Sequence, residues 1–162
     1  MKELRVNRER LWDSLMQMAE IGATENGGSC RLALSDEDKV GRDLFIDWCK
    51  DAGCSIEIDR MGNIFATRAG RSNQLPVATG SHLDTQPHGG RFDGVYGVLA
   101  GLEVIRSLND HHVETEAAIE VIVWTNEEGC RFAPAMVASG VYAGLFDLDY
   151  ALERADETGV TM

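Results

Sequence analysis

Two apolar runs in this chain each empty into side chains of the metal-ligand type. Pro76-Val77-Ala78-Thr79-Gly80 is followed by Ser81-His82-Leu83-Asp84, and Glu120–Thr125 by Asn126-Glu127-Glu128-Gly129. A further carboxylate, Asp93, sits in Gly89-Gly90-Arg91-Phe92-Asp93-Gly94, just ahead of a helical pattern that starts near Val95. One imidazole and several carboxylates gathered at one point call for a divalent cation, since without one their like charges stand uncompensated. The mixed donor set suits zinc, with manganese or cobalt also accommodated. Extended backbone sends successive side chains to opposite faces, so Glu127 and Glu128 can divide the work, one holding metal and the other facing a metal-bound water. Asp84, two residues beyond His82 and on the same side, is placed to accept the imidazole's other N–H and fix its tautomer.

Taken singly, each residue has a plainer reading. A histidine at a strand end is commonly a hydrogen-bonded surface residue, adjacent glutamates on a loop are commonly just solvated, and Asp93 alone would serve as the N-cap of the following helix. The set gains weight because all its members fall at strand or helix ends on what should be one edge of one sheet, where sites in open α/β sheets form. Cys130 follows the glutamate pair, and with nothing nearby to lower its pKa it is expected as an apolar filler. His88, His111 and His112 lie in polar stretches and are expected at the surface.

Periodicity supplies the framework around these residues. Leu11, Leu15 and Met18 recur at helical steps within Asn7–Ala19, and the glycine-rich stretch GATENGGS ends that helix. Ser35 with Asp38 resembles a capping box, opening a second helix whose stripe is Val40, Leu44, Phe45 and Trp48 and which ends near Gly53. Short strands are expected at Cys54–Asp59 and Asn63–Arg68 about the turn Arg60-Met61-Gly62, then an apolar run at Leu75–Thr79, a helix at Val95–Leu108, a strand at Ala117–Thr125 and a short helix at Asp147–Ala155. The run Ala118–Trp124 is almost continuously apolar and β-branched, as in a strand covered on both faces. Strands alternating with helices indicate an α/β sheet, and no repeat or linker divides the chain. Gly94, Gly97 and Gly101 line one helix face and would let it pack close to the sheet. They do not spell the dinucleotide G-x-G-x-x-G, and neither a Walker A lysine nor a G-x-S-x-G elbow is present.

Composition narrows the partners. The 162 residues are 44% hydrophobic and carry 27 Asp+Glu against 15 Lys+Arg, a net charge of −12. Such a surface argues against binding nucleic acid, whose affinity depends on cationic neutralisation of phosphates. No run reaches the roughly 18 apolar residues of a membrane span, and the charged opening MKELRVNRERLWDSL lacks the build of an export signal, so no membrane association and a cytoplasmic location are expected. The four cysteines, Cys30, Cys49, Cys54 and Cys130, form no C-x-x-C and are expected as reduced thiols; Cys49 and Cys54 could pair in a secreted protein.

With these residues in view, GSHLDTQPHGGRFDGVYGVLAGLEVIRSL and WTNEEGCRF resemble the zinc amidohydrolases of the aminoacylase/carboxypeptidase (M20) superfamily. Within it the chain is most similar to the branch of N-carbamoyl-L-amino acid hydrolases, β-ureidopropionase (β-alanine synthase) and allantoate amidohydrolase. The resemblance covers essentially the whole chain, and its motifs are long and specific. It implies that His82 binds one metal, Asp93 bridges two, Glu128 binds the other, Glu127 is general base and acid, and Asp84 orients His82. It implies two Zn2+ ions per complete site, with Mn2+ or Co2+ as substitutes, about 3.5–4 Å apart and acting on a shared water and on the carbamoyl carbonyl. The implied substrate is a small-molecule N-carbamoyl amino acid, hydrolysed to amino acid, CO2 and ammonia.

The resemblance implies a fold as well: the chain is the amino-terminal part of a three-layer α/β/α zinc-peptidase-like catalytic domain, with residues 1–162 as a partial metal-binding domain and the lid and dimerisation domain absent. Members of the family run to roughly 400 residues, and their two further metal-binding histidines and carboxylate-gripping lid residues belong to the missing part. The chain is therefore expected to be an incomplete, inactive fragment, one piece of a split gene, or a remnant. Dimerisation is implied for the complete enzyme only. Allantoate amidohydrolase, aminoacylase-type activity and a non-catalytic domain acting only by association are the competing readings.

Overall fold

The computed structural model describes residues 4–162. The Asn7 side chain accepts the Arg10 N–H and opens α1, Arg8–Glu20, which buries Ser14, Leu15, Met18 and Ala19. Ser35 does the same for α2, Asp36–Asp51, taking the Asp38 N–H at 3.2 Å. The expected capping box is half formed, because the Asp38 carboxylate reaches one residue further back and accepts the Leu34 N–H at 2.9 Å. Next come β1, Ser55–Ile58, and β2, Ile64–Arg68, about a turn where Gly62 has φ +78°, then β3, Val77–His82. α3, Val95–Asp110, and β4, Ile119–Trp124, lie within two or three residues of their expected bounds.

Two short helices end the chain: α4, Val137–Tyr142, and α5, Leu148–Leu152. The second is shorter than the expected Asp147–Ala155, and the first has no counterpart in the sequence reading. The α4 residues Val-Ala-Ser-Gly-Val-Tyr include poor helix formers, and the helix starts from Met136 in the left-handed region without a side-chain cap. Its support is tertiary. Val137 and Ala138 are fully buried with Met61 and Ala151.

The strands form one mixed sheet in the order β1-β2-β4-β3. β1, β2 and β4 run antiparallel, while β3 and β4 are parallel, joined by the crossover through α3. Their register pairs His82 with Trp124, so both strands stop at the same level and the segments beyond them emerge side by side.

Helices α1, α2 and α3 share one core with the sheet: Leu15, Met18, Phe45, Val98, Leu102 and Ile105 pack with Ile64, Ala66, Val121 and Val123. Burying Val95, Val98, Leu99, Leu102 and Ile105 of α3, at about 1.5–3 kcal/mol each, outweighs the cost of its interior glycines, about 1 kcal/mol each. α1 is tied down by Glu103, only 1% exposed, which accepts from Asn7 N, Arg10 Nε and Nη2, and Ser107 Oγ at 2.8–2.9 Å. Burial pushes that carboxyl up, but these donors hold it below the usual range.

The opposite face of the sheet is covered less fully, so β4 is covered on both faces, as expected, but unevenly. There Phe65 and Trp124 are half-buried and meet Tyr142 of α4, with ring centroids 5.6 and 5.2 Å away. Glu120 stays half-exposed, accepting the Thr67 hydroxyl at 2.8 Å. Among the described residues no helix is long and apolar enough to cross a membrane.

Candidate metal centre

The parallel register delivers the two ligand-bearing segments to one place. His82 ends β3 and is buried, and its Nδ1 lies 2.8 Å from the Asp84 carbonyl oxygen. A carbonyl only accepts, so Nδ1 is the donor in this contact and Nε2 is the ring atom turned toward the carboxylates. Nε2 is 3.3 Å from Glu127 Oε2 and 3.8 Å from Asp93 Oδ1. One ligand atom from each of His82, Asp93 and Glu128 lies within 4.8 Å of the others. All five residues singled out from the sequence therefore meet here.

Asp84 acts differently from the expectation. Its main-chain carbonyl, rather than its carboxylate, holds the imidazole; the carboxylate oxygen Oδ1 is 3.9 Å from Nδ1. The carboxylate instead accepts the peptide N–H of Glu127 at 3.1 Å and of Glu128 at 3.2 Å. Those loop N–H groups need an acceptor, and the buried carboxylate supplies both. Burial pushes the Asp84 carboxyl up to about 6, opposed by these two N–H groups and by His82. One residue thus sets the ring of His82 and the backbone of the glutamate pair.

Neighbouring backbone explains the rest. Asn126 takes the left-handed conformation, φ 53°, which Asn tolerates better than most residues, and its Nδ2 donates to Phe132 O at 2.6 Å. The Glu127 carbonyl accepts Met136 N–H at 2.8 Å, closing the loop. Gly129, φ 67°, turns the chain outward, so Cys130 is exposed rather than an apolar filler. Burial and the charges of Glu128 and Asp84 hold its thiol up, which leaves it a poor nucleophile. His88, His111 and His112 are at the surface, as expected.

Asp93 does not cap α3. The N-cap is Gly94 without a side-chain bond, and Asp93, 64% exposed on its side chain, is free to face His82. Its loop is fastened on both sides: Phe92 lies against Trp12 with centroids 6.1 Å apart, and Arg91 Nε donates to Gly27 O at 2.5 Å.

Two contacts were not foreseen from the sequence. Gln86 Nε2 donates to Glu128 Oε2 at 3.0 Å, a pairing between residues 42 positions apart that no local pattern announces. Gly94 lies so close under His82 that a Cβ there would fall 2.5 Å from the ring. Along the same helix face a Cβ on Gly97 would meet Ser81 at 2.9 Å, and one on Gly101 would meet Thr79 at 2.9 Å, so the glycine stripe does seat α3 on β3. Gly94→Ala is expected to displace the imidazole and strain a residue at φ 67°. Disturbed ligand supports typically cost about 10–100-fold in metal affinity. Gly90→Ala, in open space, is the control, and cation titration of both variants checks the prediction.

The residues fit a cation on their own chemistry. Glu128 Oε1 is buried with no hydrogen-bond partner, an orphaned anionic oxygen that a metal ion would satisfy. His82 and Asp93 bring ligand atoms within 4.8 Å of one on Glu128, and one imidazole with two carboxylates is a donor set for zinc, manganese or cobalt.

The chain is 57% identical over 156 residues to an N-carbamoyl-L-amino-acid amidohydrolase of Rhizobium meliloti, covering 96% of this chain and 38% of that protein. It is 31% identical over 156 residues to an allantoate amidohydrolase of Bacillus subtilis, covering 96% of this chain and again 38% of the relative. A crystal structure of an amidase of the hydantoinase/carbamoylase family from Burkholderia multivorans superposes with a TM-score of 0.97 at 65% identity, over 98% of this chain and 39% of that one. The chain thus spans about 38% of the length of these relatives. The sequence pattern of peptidase family M20/M25/M40 matches residues 78–160, which hold every residue of the cluster, and the chain belongs to that family.

Proposed function

We propose that this chain carries part of the catalytic centre of a metal-dependent amidohydrolase that cleaves the carbamoyl C–N bond of an N-carbamoyl amino acid. The observation that carries this reading is the convergence of His82, Asp93 and Glu128 with an uncommitted carboxylate, Glu127, 3.3 Å from the imidazole. The substrate class rests on the Rhizobium meliloti relative. His82, Asp93 and Glu128 would hold the metal, Asp93 as the ligand shared by two zinc ions and His82 and Glu128 each serving one. Bound cations polarise the carbonyl under attack and lower the pKa of water. Glu127 takes a proton from the attacking water and returns it to the leaving nitrogen. Asp84 is a positioning residue, fixing the tautomer of His82 and the path of the glutamate loop. The products are the amino acid, CO2 and ammonia. A second reading, allantoate as substrate, is favoured by the Bacillus subtilis relative. β-Ureidopropionase-type use of N-carbamoyl-β-alanine and a homodimer belong to the same reading of the whole protein, and four free thiols suit the reducing cytoplasm.

The three protein ligands among the described residues are too few for two zinc ions that each want about four donors, even with a bridge and waters. Residues 1–162 alone, supplied with zinc or manganese, are therefore expected to release no ammonia from N-carbamoyl amino acids at a useful rate. A chain of the relatives' full length carrying these residues is the material for the substrate test. Ammonia release from N-carbamoyl-L-amino acids, N-carbamoyl-β-alanine and allantoate is measured side by side, with amine release from N-acetyl amino acids as the acylase control. Preference for an N-carbamoyl amino acid is the expected result. Preference for allantoate moves the assignment to the second reading, and turnover of only the N-acetyl compounds removes the carbamoyl reading.

A further inference from the structure

Cys49 lies in the last turn of α2, and Cys54 stands just ahead of β1. Between them the chain reverses at Gly53, φ 81°, and the Cys54 N–H donates to the Cys49 carbonyl at 2.9 Å. The reversal brings the two cysteines to the two ends of one short, closed stretch of backbone. Both are free and both belong to the main apolar core, Cys49 fully buried and Cys54 8% exposed. Arg106 and Arg68 place positive charge nearby, on α3 and β2. A backbone contact this close holds the two α-carbons within the roughly 4.4–6.8 Å that a disulfide spans.

We propose that Cys49 and Cys54 form a reversible disulfide, a redox modification site separate from the metal centre, whose oxidant is a small disulfide of the glutathione class. The two thiols are unequal. The neighbouring Cys49 thiol and the Arg68 charge hold the Cys54 thiol down, while its neighbour Cys54 and burial push that of Cys49 up. Cys54 is also the more exposed, so it is the attacking sulfur. Its thiolate attacks one sulfur of the small disulfide, that S–S bond breaks, and one small thiolate leaves. Cys49 then gives its proton to solvent and attacks the Cys54 sulfur of the mixed disulfide, expelling the second small thiol. Two protein thiols are oxidised and one small disulfide is reduced to two thiols.

The test uses the native 162-residue chain incubated with oxidised glutathione, quenched in acid, then alkylated in denaturant and mapped by mass spectrometry. The expected result is a loss of two hydrogen atoms in mass, with two of the four thiols protected from alkylation. Trypsin cuts after Lys50, so the bond is read as a link between the peptides 43–50 and 51–60, abolished by dithiothreitol. Cys49→Ser is expected to stop at a glutathione adduct on Cys54, and Cys54→Ser to leave Cys49 unmodified. Four alkylated thiols after oxidation, or a link through Cys30 or Cys130, overturns the proposal. The mapping of the unmutated chain decides the matter even where a serine variant folds poorly.

Discussion

Replacing Glu127 by glutamine, in a chain of the relatives' full length, is expected to lower turnover of an N-carbamoyl amino acid by about 10²–10⁴-fold while leaving the metal content unchanged. That loss corresponds to about 2.7–5.4 kcal/mol of transition-state stabilisation. Glutamine keeps the size and shape of the side chain but cannot take up a proton. What ties Glu127 to Asp84 is its main-chain N–H, 3.1 Å from the carboxylate, so the substitution leaves the loop anchored. Glu127 also lies outside the set of three whose ligand atoms converge. Steady-state ammonia release with metal analysis on the same sample separates the two effects. Near-normal turnover in the variant would take Glu127 out of the mechanism. Glu128→Gln is the contrasting change: it alters the orphaned buried oxygen and should empty metal from the site before it affects proton transfer.

The second large effect is on metal stoichiometry. With Asp93 bridging two cations as proposed, Asp93→Ala lowers the occupancy of both together, whereas His82→Ala mainly empties one. Asp93 suits such a comparison because its side chain is 64% exposed and does not cap α3, so its loss removes a ligand without removing a support of the fold. His82 is buried against Gly94, and its alanine variant also opens space in the packing. The purified variants are therefore compared for thermal stability as well as metal per chain. Loss of a single metal from Asp93→Ala would contradict the bridge.

Much of the site was legible because its signals are local. His82, Asp93 and the Glu127-Glu128 pair each stand out from a neighbouring strand or helix pattern. Their meeting rests on one rule, that residues beyond the carboxyl ends of parallel strands share a crevice. The register pairing His82 with Trp124 is that rule in atomic form. The glycine stripe at 94, 97 and 101 is readable for the same reason, since its spacing alone sets a small face toward β3.

What escaped the sequence depends on which of several polar groups wins a partner. The Asp84 carboxylate and its own carbonyl both compete for the imidazole, and only the folded loop, with two N–H groups needing an acceptor, decides between them. Gln86 on Glu128 is likewise a long-range pairing. Helix α4 escapes notice because it has no side-chain cap and, Ala138 apart, only weak helix formers, and its burial against Met61 and Ala151 supplies what propensity does not. Cys130 is exposed against expectation, next to a glycine at φ 67°, a conformational choice invisible to residue type alone.

The measurement that bears most directly on the proposed function is ammonia release from an N-carbamoyl amino acid by the full-length chain after exhaustive chelation, followed by stepwise return of zinc, manganese or cobalt. The expected result is turnover that disappears with the metal and returns in proportion to metal bound, with Glu128→Gln needing far more metal to recover. Turnover that persists in the metal-free protein, or that returns equally in a chain lacking His82, Asp93 and Glu128, would contradict a metal centre built on these residues.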